Sequence, residues 1–106
     1  MAKYLLRASY TAEGAKGLLK DGGTKRAAAA RALIDSLGGK MDAIYWAFGD
    51  DDVIAIVDMP DHSSAAAASM TIAGSGAIAG TLTVLLTADD IDKAVKKKVK
   101  YTPPGR

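Results

Sequence analysis

Short runs of β-branched and aromatic residues alternate along this chain with longer stretches whose apolar positions recur at helical spacing. "KYLLRASY" (3–10) reads as a first strand that stops at Thr11, a residue suited to cap a helix. In the next stretch Ala30, Leu33, Ile34 and Leu37 fall at i, i+3, i+4 and i+7, with Lys25, Arg26, Arg31 and Asp35 elsewhere. That spacing predicts a helix with one buried stripe, closed by Gly38-Gly39. The segment before it carries Gly14 and Gly17 and predicts a shorter, weaker helix, broken at Gly22-Gly23. "KMDAIYWAFG" (40–49) and "DVIAIVDM" (52–59) then predict an antiparallel hairpin around a short polar turn.

Pro60 ends the third strand, and Asp61 caps a helix over "HSSAAAASMTIA". The alanine block 65–68 lets that helix lie close on a sheet. "AIAGTLTVLLT" (77–87) reads as a fourth strand, in which Gly80 permits close backbone approach. Thr87, followed by Asp89 and Asp90, starts a last helix, and Lys96, Lys97, Lys98 and Lys100 sit at its far end, where cations suit the helix dipole.

The order is β-α-β-β-α-β plus a C-terminal helix. This is the α+β, ferredoxin-like pattern: a four-stranded antiparallel sheet with helices on one face. Strand alternation puts Ile44, Trp46 and Phe48 on one side of the second strand, toward the helices, and Met41, Ala43, Tyr45 and Ala47 on the other. Val53 to Val57 are apolar on both sides, as in a strand buried on both. The helices cover only one of those sides. A homodimer packed sheet to sheet is therefore expected.

At 106 residues the chain is one domain, with residues 1–100 forming the folded unit and 101–106 a tail. A net charge of +2, concentrated in the C-terminal lysines and Arg106, gives no reason to expect nucleic acid. With no cysteine there is no disulfide or thiolate chemistry. The N-terminus "MAKYLLRASY" has neither a signal peptide nor a membrane-spanning stretch, so the cytoplasm is the expected location and no membrane association is expected.

Four stretches carry a family resemblance: "TAEG", "RALIDSLGGK", "AIYWAFGDDDVIAIVDMPD" and "ADDI". On these the chain resembles the GYD-domain family of small bacterial proteins, within the dimeric α+β barrels. The resemblance implies a barrel-like dimer and an uncharacterised role, small-molecule binding or stress-associated. The family's Gly-x-Tyr-Asp turn reads Gly49-Asp50-Asp51-Asp52 here. Gly49 and Asp52 match, and Asp51 stands where the family has tyrosine. Related barrels include cofactor-free monooxygenases, cyclases and haem-handling proteins, so the fold alone names no reaction.

Each candidate for chemistry has a plain structural competitor. The three aspartates are contiguous and lack the spaced oxygen ligands of a calcium loop, so they read as a solvated hairpin tip and no metal site is expected. Within them Asp52 is the one expected to make a specific structural bond. His62, the only histidine, is a candidate base or axial ligand but falls in an exposed first helical turn. "GSGAIAG" (74–80) has the wrong spacing and the wrong strand–helix order for a dinucleotide loop. No cofactor is expected.

The open sheet face is the place for a ligand. Tyr45, flanked by Ala43 and Ala47, would share it with Arg7, Ser9, Thr81 and Thr83, giving either an apolar cavity with a few polar groups or a packed interface. Three functions follow: a dimer that binds a small apolar molecule, a cofactor-independent enzyme using Tyr45, Arg7 or His62, or an interaction module forming a higher homo-oligomer through its C-terminal tail.

Overall fold

A computed structural model describes all residues, 1–106. The strands are β1 (Ala2–Tyr10), β2 (Lys40–Trp46), β3 (Val53–Met59) and β4 (Ile78–Leu85), and the helices α1 (Ala12–Asp21), α2 (Gly23–Ser36), α3 (His62–Gly74) and α4 (Ala88–Val95). The four strands form one antiparallel sheet in the order β2-β3-β1-β4, the βαββαβ arrangement with its first helix in two pieces. Helices α1, α2 and α3 pack on one face of it. The chain is α+β and ferredoxin-like.

Local chemistry accounts for the boundaries. The Thr11 hydroxyl accepts the Gly14 N–H and starts α1, and the Asp61 carboxylate accepts the Ser64 N–H and starts α3. Between α1 and α2, Gly22 sits at φ +80, a left-handed backbone that a side chain would strain, so the two helices meet there without merging. Gly80 lies opposite Ala8 so closely that an added Cβ would stand 2.7 Å from the Ala8 Cβ, which explains the glycine within β4.

Tyr4, Ile34, Val57, Met59, Ala65 and Ala68 form the core, between the sheet and α2 and α3. The burial of β3 alternates strictly: Val53, Ala55, Val57 and Met59 are buried, whereas Ile54, Ile56 and Asp58 are half-buried. One face of the central strand is thus covered within the chain and the other is not.

Two sequence expectations for β2 need correction. Met41 was expected on the open face with Tyr45. The register shifts between Met41 and Ala43, so that Met41 lies opposite Val57 and Ala43 opposite Ile56. This bulge turns Met41 inward, where it packs against the core. The strand also ends at Trp46 rather than at Gly49, and Phe48, expected to pack against the helices, lies fully exposed in the loop. Alternation cannot extend past the last ladder bond.

Candidate outer-face site

The uncovered face of the sheet is built in rows by the strand register. Tyr45, Ile54, Arg7 and Thr81 lie side by side across the four strands, and Ala43, Ile56, Leu5 and Thr83 form the next row. Ser9, opposite Ala79, lies one row beyond Arg7. The Ala43 row is apolar at its middle, the Tyr45 row sets Arg7 beside Ile54 there, and each row carries a hydroxyl on β4. Tyr45 is 70% exposed, a large aromatic surface for water to wet.

The aspartate turn closes one end of this face. Arg7 places both Nε and a terminal nitrogen 2.8 Å from the same Asp51 carboxylate oxygen. The Ser9 hydroxyl donates to the Asp50 carbonyl, and the Tyr10 N–H donates to the Asp52 carboxylate at 2.8 Å. The Asp52 N–H donates to the Ala8 carbonyl, while its own carbonyl accepts the Ala47 N–H. Asp52 makes the structural bond expected of it. Asp51 is not a solvated tip residue: it is half-buried and holds the Arg7 guanidinium. The turn is a clasp between β1 and the β2–β3 connection.

At the other end of the face, Lys3 pairs with Asp42 and Asp58. The hydrogen bond to Asp42, with that to Asp58 behind it, holds the Lys3 ammonium above its usual pKa. The same bond from Lys3 holds the Asp42 carboxyl below its usual range. The bulge that turns Met41 inward leaves Asp42 free to reach this lysine. An ion-paired group thus stands at each end of an apolar strip.

His62 lies elsewhere. Its Nδ1 is 2.7 Å from the hydroxyl of Tyr4, a core residue on the helix side of the sheet. The sheet separates it from Arg7, Tyr45, Thr81 and Thr83, so it offers those residues no proton. Its partner was invisible in sequence because the two are 58 residues apart and both positions read as ordinary. Beside Tyr45 the cation of the outer face is the Arg7 guanidinium, and its carboxylate partner is already engaged.

Sequence reasoning also missed a small apolar cleft of about 40 Å³ between α2 and α3 on the helix side, lined by Leu6, Leu33, Met41, Ile72 and Leu82 among others. The alanine blocks 27–30 and 65–68 allow close helix approach but fill little volume, which leaves this space. Ser69 is the one polar side chain lining it, so the cleft has little with which to orient a ligand. No three His, Asp or Glu side chains converge as metal ligands would, and no helix is long and apolar enough to cross a membrane.

A model of the GYD domain matches residues 4–95, from within β1 to the last residue of α4. No curated protein and no solved structure gives a match to the chain. The match takes in β2, β3, β4, most of β1 and the aspartate clasp, and of the outer-face residues named above it leaves out Lys3. The chain belongs to the GYD-domain family.

Proposed function

We propose that this GYD-domain protein is a homodimer that packs through the outer faces of its two sheets and holds a small apolar molecule between them. The observation that carries the reading is the uncovered strip of Leu5, Ile54 and Ile56 with Tyr45 at its edge. Such a strip favours burial against a like surface, at roughly 25 cal/mol per Å² of apolar area removed from water. Small and polar neighbours, Ala43, Thr81 and Thr83, leave room and hydrogen-bonding capacity beside it, as a binding site needs. Arg7, held by Asp51, marks the end of the strip where a polar group of the ligand would sit.

The same reading places the protein in the cytoplasm of a bacterium, a setting that suits a chain without cysteine. An enzymatic role would need a base beside Tyr45, and His62 lies across the sheet from it. Native mass spectrometry of protein purified from its own host tests the proposal. The expected spectrum has a mass at least twice 10.9 kDa with an additional small molecule retained. A bare 10.9 kDa monomer would refute it.

A further inference from the structure

The C-terminal segment, residues 86–106, does not behave as part of a compact single chain. No residue of α4 is buried, and Leu86, Ile91, Val95, Val99 and Tyr101 are all exposed, Val95 by 75% and Val99 by 79%. The radius of gyration is 17.1 Å, against about 13 Å for a compact domain of this length. The accessible surface is 7479 Å², about 1,900 Å² more than the roughly 5,600 Å² of a compact monomer of this mass. An excess of that size is one subunit's share of an obligate homodimer interface.

Helix α4 is nonetheless strongly specified. Thr87 and Asp90 form a reciprocal capping box, and Lys93 pairs with Asp89 at 3.0 Å. Eight residues are too few to hold a helix in water unaided, so the specification makes sense only if an apolar face finds a partner. Ile91 and Val95, one turn apart, form that face, and Val99 and Tyr101 follow it, exposed, in the tail. Charge is divided along the arm. Asp89, Asp90 and Asp92 lie in the first turn and a half, whereas Lys96, Lys97, Lys98, Lys100 and Arg106 follow the helix with no acid among them.

We infer that this arm pairs antiparallel with the same arm of a second copy of the chain. That arrangement sets the acidic first turn of each arm beside the basic tail of the other, opposes the two helix dipoles favourably and brings Val95 next to its own counterpart. It is an isologous contact, separate from the outer sheet face, so the two together would build a higher homo-oligomer. The inference does not depend on the sheet-to-sheet dimer.

The test uses the full chain. Ile91→Asp with Val95→Asp places charge on exposed positions, which leaves the fold intact, and is expected to halve the subunit count found by light scattering at micromolar concentration. A count equal to that of the unaltered chain would overturn the inference. Because the protein has no cysteine, Val95→Cys is a clean reporter. It is expected to form an intersubunit disulfide at least tenfold faster than Leu19→Cys, an 87% exposed position on α1. Equal rates would overturn the antiparallel pairing.

The outcomes separate the two interfaces. A fall from four subunits to two supports both contacts, and a fall from two to one supports the arm against the sheet. An unchanged dimer supports the sheet against the arm. A monomeric unaltered chain sinks both.

Discussion

Arg7 and Asp51 stand 44 residues apart in the chain, yet the guanidinium places two nitrogens on a single oxygen of the aspartate. The contact ties β1 to the turn between β2 and β3, at the position where the resemblance to the family leads one to expect tyrosine. It is half open to water, and such pairs contribute little to stability.

The neighbouring aspartates therefore differ in kind. Asp51→Asn is expected to lower the unfolding free energy by less than about 1 kcal/mol, since water replaces the lost contact. Asp52→Ala removes the acceptor of the part-buried Tyr10 N–H and is expected to cost about 1–3 kcal/mol. Urea denaturation of the two variants checks the ranking. Equal losses would mean that the clasp is held by its charge and not by its backbone bonds.

The Tyr4–His62 bond is read here as structural. Tyr4→Phe and His62→Ala are each expected to destabilise by about 1 kcal/mol, and the double variant by little more than either single one. A double-mutant cycle in urea measures this. Fully additive losses would show that the two side chains act separately.

Acid should weaken the start of α3. The bond from the Ser64 N–H holds the Asp61 carboxyl below its usual 3.8. The stabilisation is therefore complete above the unfolded value and is lost as pH falls through the lower folded value. Asp61→Asn is expected to lower the thermal midpoint at pH 7, with the difference from the unaltered chain shrinking as pH falls below 3.8 through the lowered folded pKa. A difference that stays constant as the pH is lowered would contradict this.

Much of the fold could be read from the sequence because its signals are local. Thr11, Asp61 and Thr87 cap the helices they precede, and Gly22 separates α1 from α2. Strand alternation also placed Arg7, Tyr45, Thr81 and Thr83 on one face. It failed at Met41 because a bulge depends on how two strands pair, which no single strand encodes. Phe48 was misplaced because the end of a ladder is set by its partner strand. The Arg7–Asp51 and Tyr4–His62 contacts lie 44 and 58 residues apart, beyond any local pattern.

Two glycines of α1 should respond oppositely to alanine. A Cβ at Gly14 would stand 1.9 Å from the Ala77 carbonyl oxygen, whereas Gly17 meets nothing within 4 Å. Gly14→Ala is expected to destabilise by about 3 kcal/mol or more, because backbone must move. Gly17→Ala is expected to stabilise by about 0.5–1 kcal/mol through helix propensity. Thermal denaturation decides, and a tolerated alanine at position 14 would contradict the close packing of α1 on the start of β4.

The uncovered sheet face is the centre of the account, and sedimentation velocity at micromolar concentration tests it most directly. The chain is expected to sediment at no less than twice 10.9 kDa, and Ile56→Asp, which puts a charge at the middle of the apolar strip, at half the mass of the unaltered protein. A 10.9 kDa species for the unaltered chain, or an Ile56→Asp variant of unchanged mass, would contradict it.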